Sequence, residues 1–324
     1  MTIGITYDLR TDYLAEGYSL EETAEFDKIS TIEGIEQAIQ NAGHETERIG
    51  HAKHLMARLL KGDRWEMVFN IAEGLYGDGR EALVPALLDN FRIPYVFSGP
   101  TTMALTLNKA YAKQIVQSAG VNTAAFCVVY QETDIEKIDL AFPLFAKPIS
   151  EGTGKGVDRV SKINSKEALQ QVCSKLLKIF NQPVLVEEYL PGREFTVGIL
   201  GTGADAFVPG VMEYVFTNGE EVLMSLENKE NWEGIMDLVP IKGKIFESCK
   251  DMALTAWRAL NCFDGGRMDV KMDMYEKISF IEMNPLAGLH PTGSDLSILC
   301  ELNGFSYQRM INTILESAIK RNFR

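Results

Sequence analysis

The chain begins with TIGITY at residues 2–7, a short β-branched and apolar run that predicts a strand. Apolar residues at helical spacing predict a helix over 31–42, and Gly43 stands where the residue after a helix C-cap belongs. WEMVFNIAEG at 65–74 predicts a buried strand, 80–91 a helix and 93–99 another strand. Strands alternating with helices imply a parallel sheet with helices packed on it. A continuous helix is predicted over 101–119, closed by Gly120.

Beyond residue 120 the pattern changes. Strands are predicted at 126–129, 143–147, 157–160, 184–189, 194–200, 207–216, 266–273 and 278–283, many joined by short glycine-containing turns and therefore antiparallel. Helices at 165–180 (Ser165 as N-cap), 244–260 and about 305–320 interrupt them. There are no repeats and no low-complexity linker. The pattern is one α/β unit followed by one or two α+β units.

At 324 residues and roughly 150 per domain, the length fits about two domains or three small ones. Acidic residues outnumber basic ones 45 to 32, giving a net charge of −13, which argues against a nucleic-acid surface. A small polyanion remains compatible, since it needs only a few placed cations. No apolar run approaches the roughly 18 residues of a membrane helix, and MTIGITYDLR lacks a secretory signal pattern. The five cysteines are scattered without CxxC, as expected of reduced packing residues in a cytoplasmic protein. His51 and His54 share a helical face and are expected on the surface rather than on zinc.

The most informative stretch is GGRMDVKMDMYEKISFIEMNP at 265–285. Arg267, Asp269, Lys271 and Asp273 alternate with Met268, Val270 and Met272, the period of a strand. Phe280, Glu282 and Asn284 are expected on one face of the next strand, opposite Ile281 and Met283. With 274–277 as a four-residue loop, Asp273 pairs with Ile278, Asp269 faces Glu282 and Arg267 faces Asn284. Two facing carboxylates need a cation or a shared proton. The all-oxygen set Asp269, Glu282 and Asn284 suits Mg²⁺; the competing reading is a solvated hairpin face neutralised by Lys271 and Arg267.

Lys147 ends an apolar strand and is followed by Glu151-Gly152-Thr153-Gly154-Lys155-Gly156, whose glycines allow backbone N–H groups close to an anion. An ordinary flexible hairpin is the alternative, because neither a Walker A ending nor GxGxxG is present. Lys109 falls on a predicted helix, where solvent exposure is the default. Glu187, Glu188 and Glu194 flank a Pro-Gly turn, suited either to a ribose or adenine contact or to a solvated sheet edge.

These blocks, in this order and spacing, resemble the ATP-grasp superfamily and, within it, the D-alanine–D-alanine ligase family. The resemblance runs through EGLYGDGREALVPALLDNFRIPYVFSGPTTMALTLNKAYAKQIVQSAGV, PLFAKPISEGTGKGV, VLVEEYLPGREFTVGILG, GGRMDVKMD, FIEMNPLAGLHP and LNGFSYQRMINTIL, from about residue 66 to the end. It implies an ATP-grasp fold: an N-terminal parallel α/β domain (1–99), a central α+β subdomain (100–186) and a C-terminal α+β subdomain (187–324) clasping ATP. It further implies that Lys109 and Lys147 bind the phosphates. Glu151, Gly152, Thr153, Gly154 and Lys155 would form the phosphate loop. Glu187, Glu188, Tyr189 and Leu190 would contact adenine, and Glu194 the ribose. Asp269, Glu282 and Asn284 would hold two Mg²⁺ ions, with Mn²⁺ as an alternative. Arg267 and the N–H of Gly288 would stabilise a tetrahedral oxyanion, and Lys229 would belong to a lid over 224–238. The implied chemistry is ATP-dependent amide formation through an acylphosphate, joining small amino-acid or carboxylate substrates in a cytoplasmic homodimer.

The sequence departs from that family on the amino-acid side. A GGxSxE signature is absent, and an acidic segment at 8–27 stands in its place, with Glu25 or Asp27 as positional substitutes. GLYG replaces LHG at 74–77, Glu230 stands where tyrosine is usual, and NPLAG replaces NTxPG at 284–288. Two other readings remain: an ATP-grasp enzyme for a different substrate, and a non-catalytic nucleotide-binding regulator.

Overall fold

The computed structural model describes residues 1–217 and 234–323, in which the strands form three sheets. β1 (Thr2–Tyr7), β2 (Glu45–Gly50) and β3 (Met67–Ile71) make a parallel sheet in the order β2-β1-β3. β4 (Phe126–Val129), β5 (Leu144–Pro148), β6 (Lys162–Ile163) and β7 (Val184–Glu188) make an antiparallel sheet in the order β4-β7-β5-β6. β8 (Glu194–Leu200), β9 (Val211–Phe216), β10 (Met236–Pro240), β11 (Gly265–Met272) and β12 (Ile278–Asn284) make the third, in the order β10-β9-β8-β11-β12. The domain boundary expected at 186/187 falls inside β7; the strand continues to Glu188, and the chain turns only at Pro191-Gly192.

Strand periodicity decides what faces the ligand cleft. In β5, Leu144 and Ala146 pack under helix Lys166–Phe180, while Phe145 and Lys147 face the other way. In β7, Val184 and Val186 join the same core, leaving Glu187 on the cleft side. In β11, Met268, Val270 and Met272 pack with Trp257 of helix Lys244–Ala259, so Asp269 and Lys271 face the cleft. A continuous core joins Ile3, Ile5 and Phe69 of the first sheet to Leu296, Ile311 and Ile314 of the C-terminal helices, fastening the N-terminal unit to the third sheet.

Several expected elements differ. The helix expected over 101–119 is two, Pro100–Leu107 and Lys109–Ser118, broken at Asn108. Asn108 takes an extended conformation and its side chain accepts hydrogen bonds from the N–H groups of Ala110 and Tyr111, 3.1 Å each. A local N-cap thus outcompetes helix continuation and makes Lys109 the first residue of a new helix. The strand expected at 157–160 is a loop leading to a 3₁₀ turn at Arg159–Ser161, where Asp158 caps Val160. The strand at 93–99 reduces to a bridge from Tyr95 to Val68, and Phe207 makes only a bridge to Leu200.

The β11–β12 hairpin is correct at one end and shifted at the other. Asp269 pairs with Glu282 and Arg267 with Asn284, but Met272, not Asp273, pairs with Ile278. Ile281 is an extra, bulged residue that absorbs the difference. Consequently Phe280 is fully buried in the core rather than beside Glu282, and Ile281 lines the cleft with Glu282.

Removing the Asn108 cap tests this local account. Asn108→Ala is expected to cost about 1 kcal/mol, read as a lower urea midpoint.

Candidate active site

The middle and third sheets face one another across a cleft of about 120 Å³, bounded by β5, β7, the 151–157 loop, β11 and β12. Phe145, Tyr189, Leu190 and Ile281 give it apolar lining, and lysines and carboxylates the rest. Of the N–H groups at 188–190, Glu188 donates to Ala125 O and Tyr189 to Pro143 O, so only that of Leu190 is left for a ligand. Glu194, expected at a ribose, accepts from Lys271 Nζ at 2.8 Å across the β8–β11 pair.

Lys109 is 7% exposed, not the solvated helix lysine that its position on a predicted helix makes the default. Its Nζ donates to Glu151 O and lies 3.3 Å from Glu282 Oε2. Lys147 Nζ is 2.9 Å from Glu187 Oε1, and Lys113 Nζ is 2.8 Å from Glu187 Oε2. Burial alone would raise the Glu187 pKa, but Lys113 and Lys147 overcome it and hold the carboxyl at about 2. The Lys147 ammonium is disfavoured by burial, yet Glu187 and Glu282 raise its pKa overall; for Lys113, fully buried, burial wins and the pKa falls. Glu187, expected at adenine, is thus the shared counter-ion of Lys113 and Lys147. Lys113 was not singled out from the sequence, although its position four residues after Lys109 puts both on one helix face.

Asp269, Glu282 and Asn284 converge as expected: Asn284 Nδ2 donates to Asp269 Oδ2 at 3.3 Å. Arg267 Nη1 donates to Asp269 Oδ1 at 2.5 Å and to Thr196 Oγ1 at 3.2 Å, and lies 3.4 Å from Asp295 Oδ2. Burial opposes the charge of Arg267, but Asp269 and Asp295 more than offset it, so the guanidinium stays protonated. Among the described residues no three His, Cys, Asp or Glu side chains gather at a metal-sized site, so the oxygen set here is two carboxylates and an amide.

The glycine-rich turn is held, not loose. Gly152 N–H donates to Glu25 Oε1 at 2.7 Å, and Lys155 Nζ lies 3.1 Å from Glu25 Oε2 and 3.2 Å from Glu151 Oε2. Arg80 binds both oxygens of Glu25 and donates to Ser150 O at 2.8 Å. A Cβ at Gly152 would lie 2.2 Å from Glu25 Oε1, which explains glycine there. The Thr153 hydroxyl is buried with no partner, as suits a group awaiting an anion or another ligand. Glu25, offered by the sequence as an ammonium acid, is therefore spent on the loop, and Arg80, its partner, was missed. Asp27 is hydrogen-bonded to Thr31, with burial raising its pKa to about 7.

The cleft borders a larger cavity of about 340 Å³ between the N-terminal segment and the third sheet, lined by Arg267, Asn284 and Gly288 and by Glu25, Glu73 and Glu81. Lys229 and residues 224–233 of the expected lid lie outside the described residues; 236–238 belong to β10. Among the described residues no helix is long and apolar enough to cross a membrane.

Two antiparallel sheets closing on a cleft of opposed lysines and carboxylates, joined to a parallel N-terminal unit, define an ATP-grasp protein. The family model described as "D-ala D-ala ligase C-terminus" matches residues 115–316. The chain belongs to the D-alanine–D-alanine ligase family and is an ATP-dependent carboxylate–amine ligase of that type. It is 30% identical to the uncharacterized protein y4sG of Sinorhizobium fredii, over 90% of this chain and 88% of that one. It is 28% identical to a D-alanine–D-alanine ligase of Bordetella petrii, over 88% and 85%. The D-alanine–D-alanine ligase of Bacillus anthracis in complex with ATP superposes with a TM-score of 0.74 at 18% identity, covering 100% of this chain and 99% of that one.

Removal of Lys113 tests the buried triad. Lys113→Ala is expected to cost about 1–3 kcal/mol in urea unfolding, because Glu187 keeps Lys147 but loses one of its two buried charged partners. The Glu187 pKa is depressed from 4.5, so its stabilisation is complete above about pH 5 and is lost as pH falls toward 2. The stability gap between wild type and Glu187→Gln should shrink over that interval.

Proposed function

We propose that the protein phosphorylates the carboxylate of one amino acid with ATP and passes the acyl group to the amine of a second, with D-alanine, named in its relatives, as the substrate. The observation that carries this is that Lys109, Lys147, Asp269 and Glu282 line one cleft, while Arg267 and Asn284 of the same hairpin line the polar cavity that meets it at Glu282. A carboxylate approaching a triphosphate meets strong repulsion, and these cations offset it.

In this reading Lys109 and Lys147 hold phosphate oxygens, and the N–H groups and side chains of Glu151, Gly152, Thr153, Gly154 and Lys155 close over them. Leu190 N–H and the walls formed by Phe145, Tyr189 and Ile281 take adenine, with Glu188 at its edge and Glu194 at the ribose. Arg267 and the Gly288 N–H draw charge onto the acyl oxygen. Lys229 serves the lid. Asp269, Glu282 and Asn284 would hold Mg²⁺, a hard ion matched to their oxygens, which would neutralise phosphate charge there. The parallel unit spans 1–99, the central unit continues to the Pro191-Gly192 turn, and the third follows. A cytoplasmic homodimer completes the proposal.

Incubation with D-alanine, ATP and Mg²⁺ should release ADP and yield a dipeptide by mass. Asp269→Asn and Glu282→Gln should each lose at least about 10²-fold in kcat while still unfolding cooperatively. Near-normal turnover in either would remove the metal assignment.

A further inference from the structure

An amine reaches this site from neutral water as an ammonium ion, whose nitrogen has no lone pair with which to attack an acyl carbon. It must hand a proton to the protein as the amide bond forms. Three nearby carboxylates are already committed. Asp269 and Glu282 belong to the proposed Mg²⁺ set, and Glu25 is held by Arg80, Lys155 and the Gly152 N–H. Asp295 has neither task, and it stands next to the groups that would draw charge onto the acyl oxygen.

Asp295 opens helix Asp295–Leu302 and lines the larger cavity with Arg267 and Gly288. Its Oδ2 lies 3.4 Å from Arg267 Nη1, and its side chain is 27% exposed, so a ligand in the cavity can reach it. The turn before it is closed on itself: His290 N–H donates to Ser294 Oγ at 2.9 Å, and Ser294 N–H donates to His290 O at 3.3 Å. A Cβ at Gly288 would lie 2.8 Å from Ser294 Oγ, so the residue before Asp295 is packed on Gly288. The carboxylate is thus held beside the guanidinium, at the end of the turn that carries Gly288. The Tyr214 hydroxyl lines the same cavity, buried and without a partner among the described residues. Burial, and after it the charge of Asp295, push its pKa well up, so it keeps its proton and takes none from an ammonium.

We propose that Asp295 is the base of the amide-forming step. The inference rests on the ligase reading above and goes beyond it by naming the residue that makes the second substrate a nucleophile. The ammonium of that substrate donates an N–H to Asp295, the proton passes to the carboxylate, and the freed lone pair forms the C–N bond to the acyl carbon. The bond from that carbon to the phosphate oxygen breaks, its electron pair leaves with phosphate, and a second N–H proton goes with it. Asp295 then returns its proton to water. Arg267 serves both partners: it orients the Asp295 carboxylate and draws charge onto the acyl oxygen, so nitrogen and acyl carbon meet beside one guanidinium.

Hydroxylamine tests this, because it is a neutral nucleophile near pH 7 and displaces phosphate from an acylphosphate, giving a hydroxamate, without first losing a proton to a base. The full chain is supplied with ATP, Mg²⁺ and D-alanine, with and without hydroxylamine, and dipeptide and hydroxamate are both measured by mass. In Asp295→Asn, kcat for the dipeptide at saturating D-alanine should fall at least about 100-fold, the size of a general-base contribution. The ratio of hydroxamate to dipeptide should rise by a similar factor. Asp295→Ser should repeat the shift, so that one badly folded variant does not decide the matter, and Asp295→Glu, which keeps a carboxylate, should recover about a tenth or more of the dipeptide rate. Equal losses of both products would mean that Asp295 acts only by holding Arg267, and a raised KM for D-alanine with kcat intact would make it a binding group. Either result, or a dipeptide rate within about twofold of wild type in the Asn and Ser variants, would overturn the base while leaving the ligase reading intact. Absence of both products from the wild type would overturn both.

Discussion

Glu187, held between Lys113 and Lys147, is the constraint on which the ligand cleft depends. Its carboxylate is buried, as are both ammonium groups, and desolvating three charges is affordable only because they face one another at 2.8 and 2.9 Å. The triad links β7, β5 and helix Lys109–Ser118. Lys113 extends it, donating to Thr123 Oγ1 at 2.6 Å and to Phe280 O at 3.3 Å, so the carboxylate hairpin of the third sheet is tied to the same network. Lys147 is thereby kept charged and oriented in the cleft.

The bulge at Ile281 supplies the other half of the geometry. Without it, strict alternation would put either Ile281 or Glu282 on the cleft, not both. With it, β12 gives an apolar wall to one part of the cleft and a carboxylate opposite Asp269 to the other. Phe280 remains free to fill the core behind. The N-terminal segment then fixes the glycine-rich turn from outside: Glu25 and Arg80 secure Gly152, Lys155 and the Ser150 carbonyl, joining the parallel unit to the middle sheet.

The elements that build the cleft were largely legible, because β11 alternates cleanly, β5 and β7 open as short apolar runs, and Ser165 and the glycines mark ends. The facing of Asp269 and Glu282 was legible too, though from a hairpin whose turn was misplaced by one residue and corrected by an unseen bulge. Periodicity reports neither bulges nor a cap competing with a helix, so the break at Asn108 and the burial of Lys109 were hidden. Glu187 drew notice as an acid beside a turn, but its partners come from residues 40 and 74 positions away, and only the tertiary fold brings them together. Glu73 falls in the predicted strand 65–74 and Arg80 and Glu81 at the start of the predicted helix 80–91; nothing local reveals that Arg80 pairs with Glu25, 55 residues away.

The central claim is that this cleft transfers phosphate to a substrate carboxylate. D-alanine labelled with ¹⁸O in its carboxylate, supplied with ATP and Mg²⁺, tests it directly. Acylphosphate formation followed by amine attack must leave one substrate oxygen on the released phosphate, so singly ¹⁸O-labelled phosphate is the predicted product. Unlabelled phosphate, or no ADP formed with D-alanine, would contradict the account.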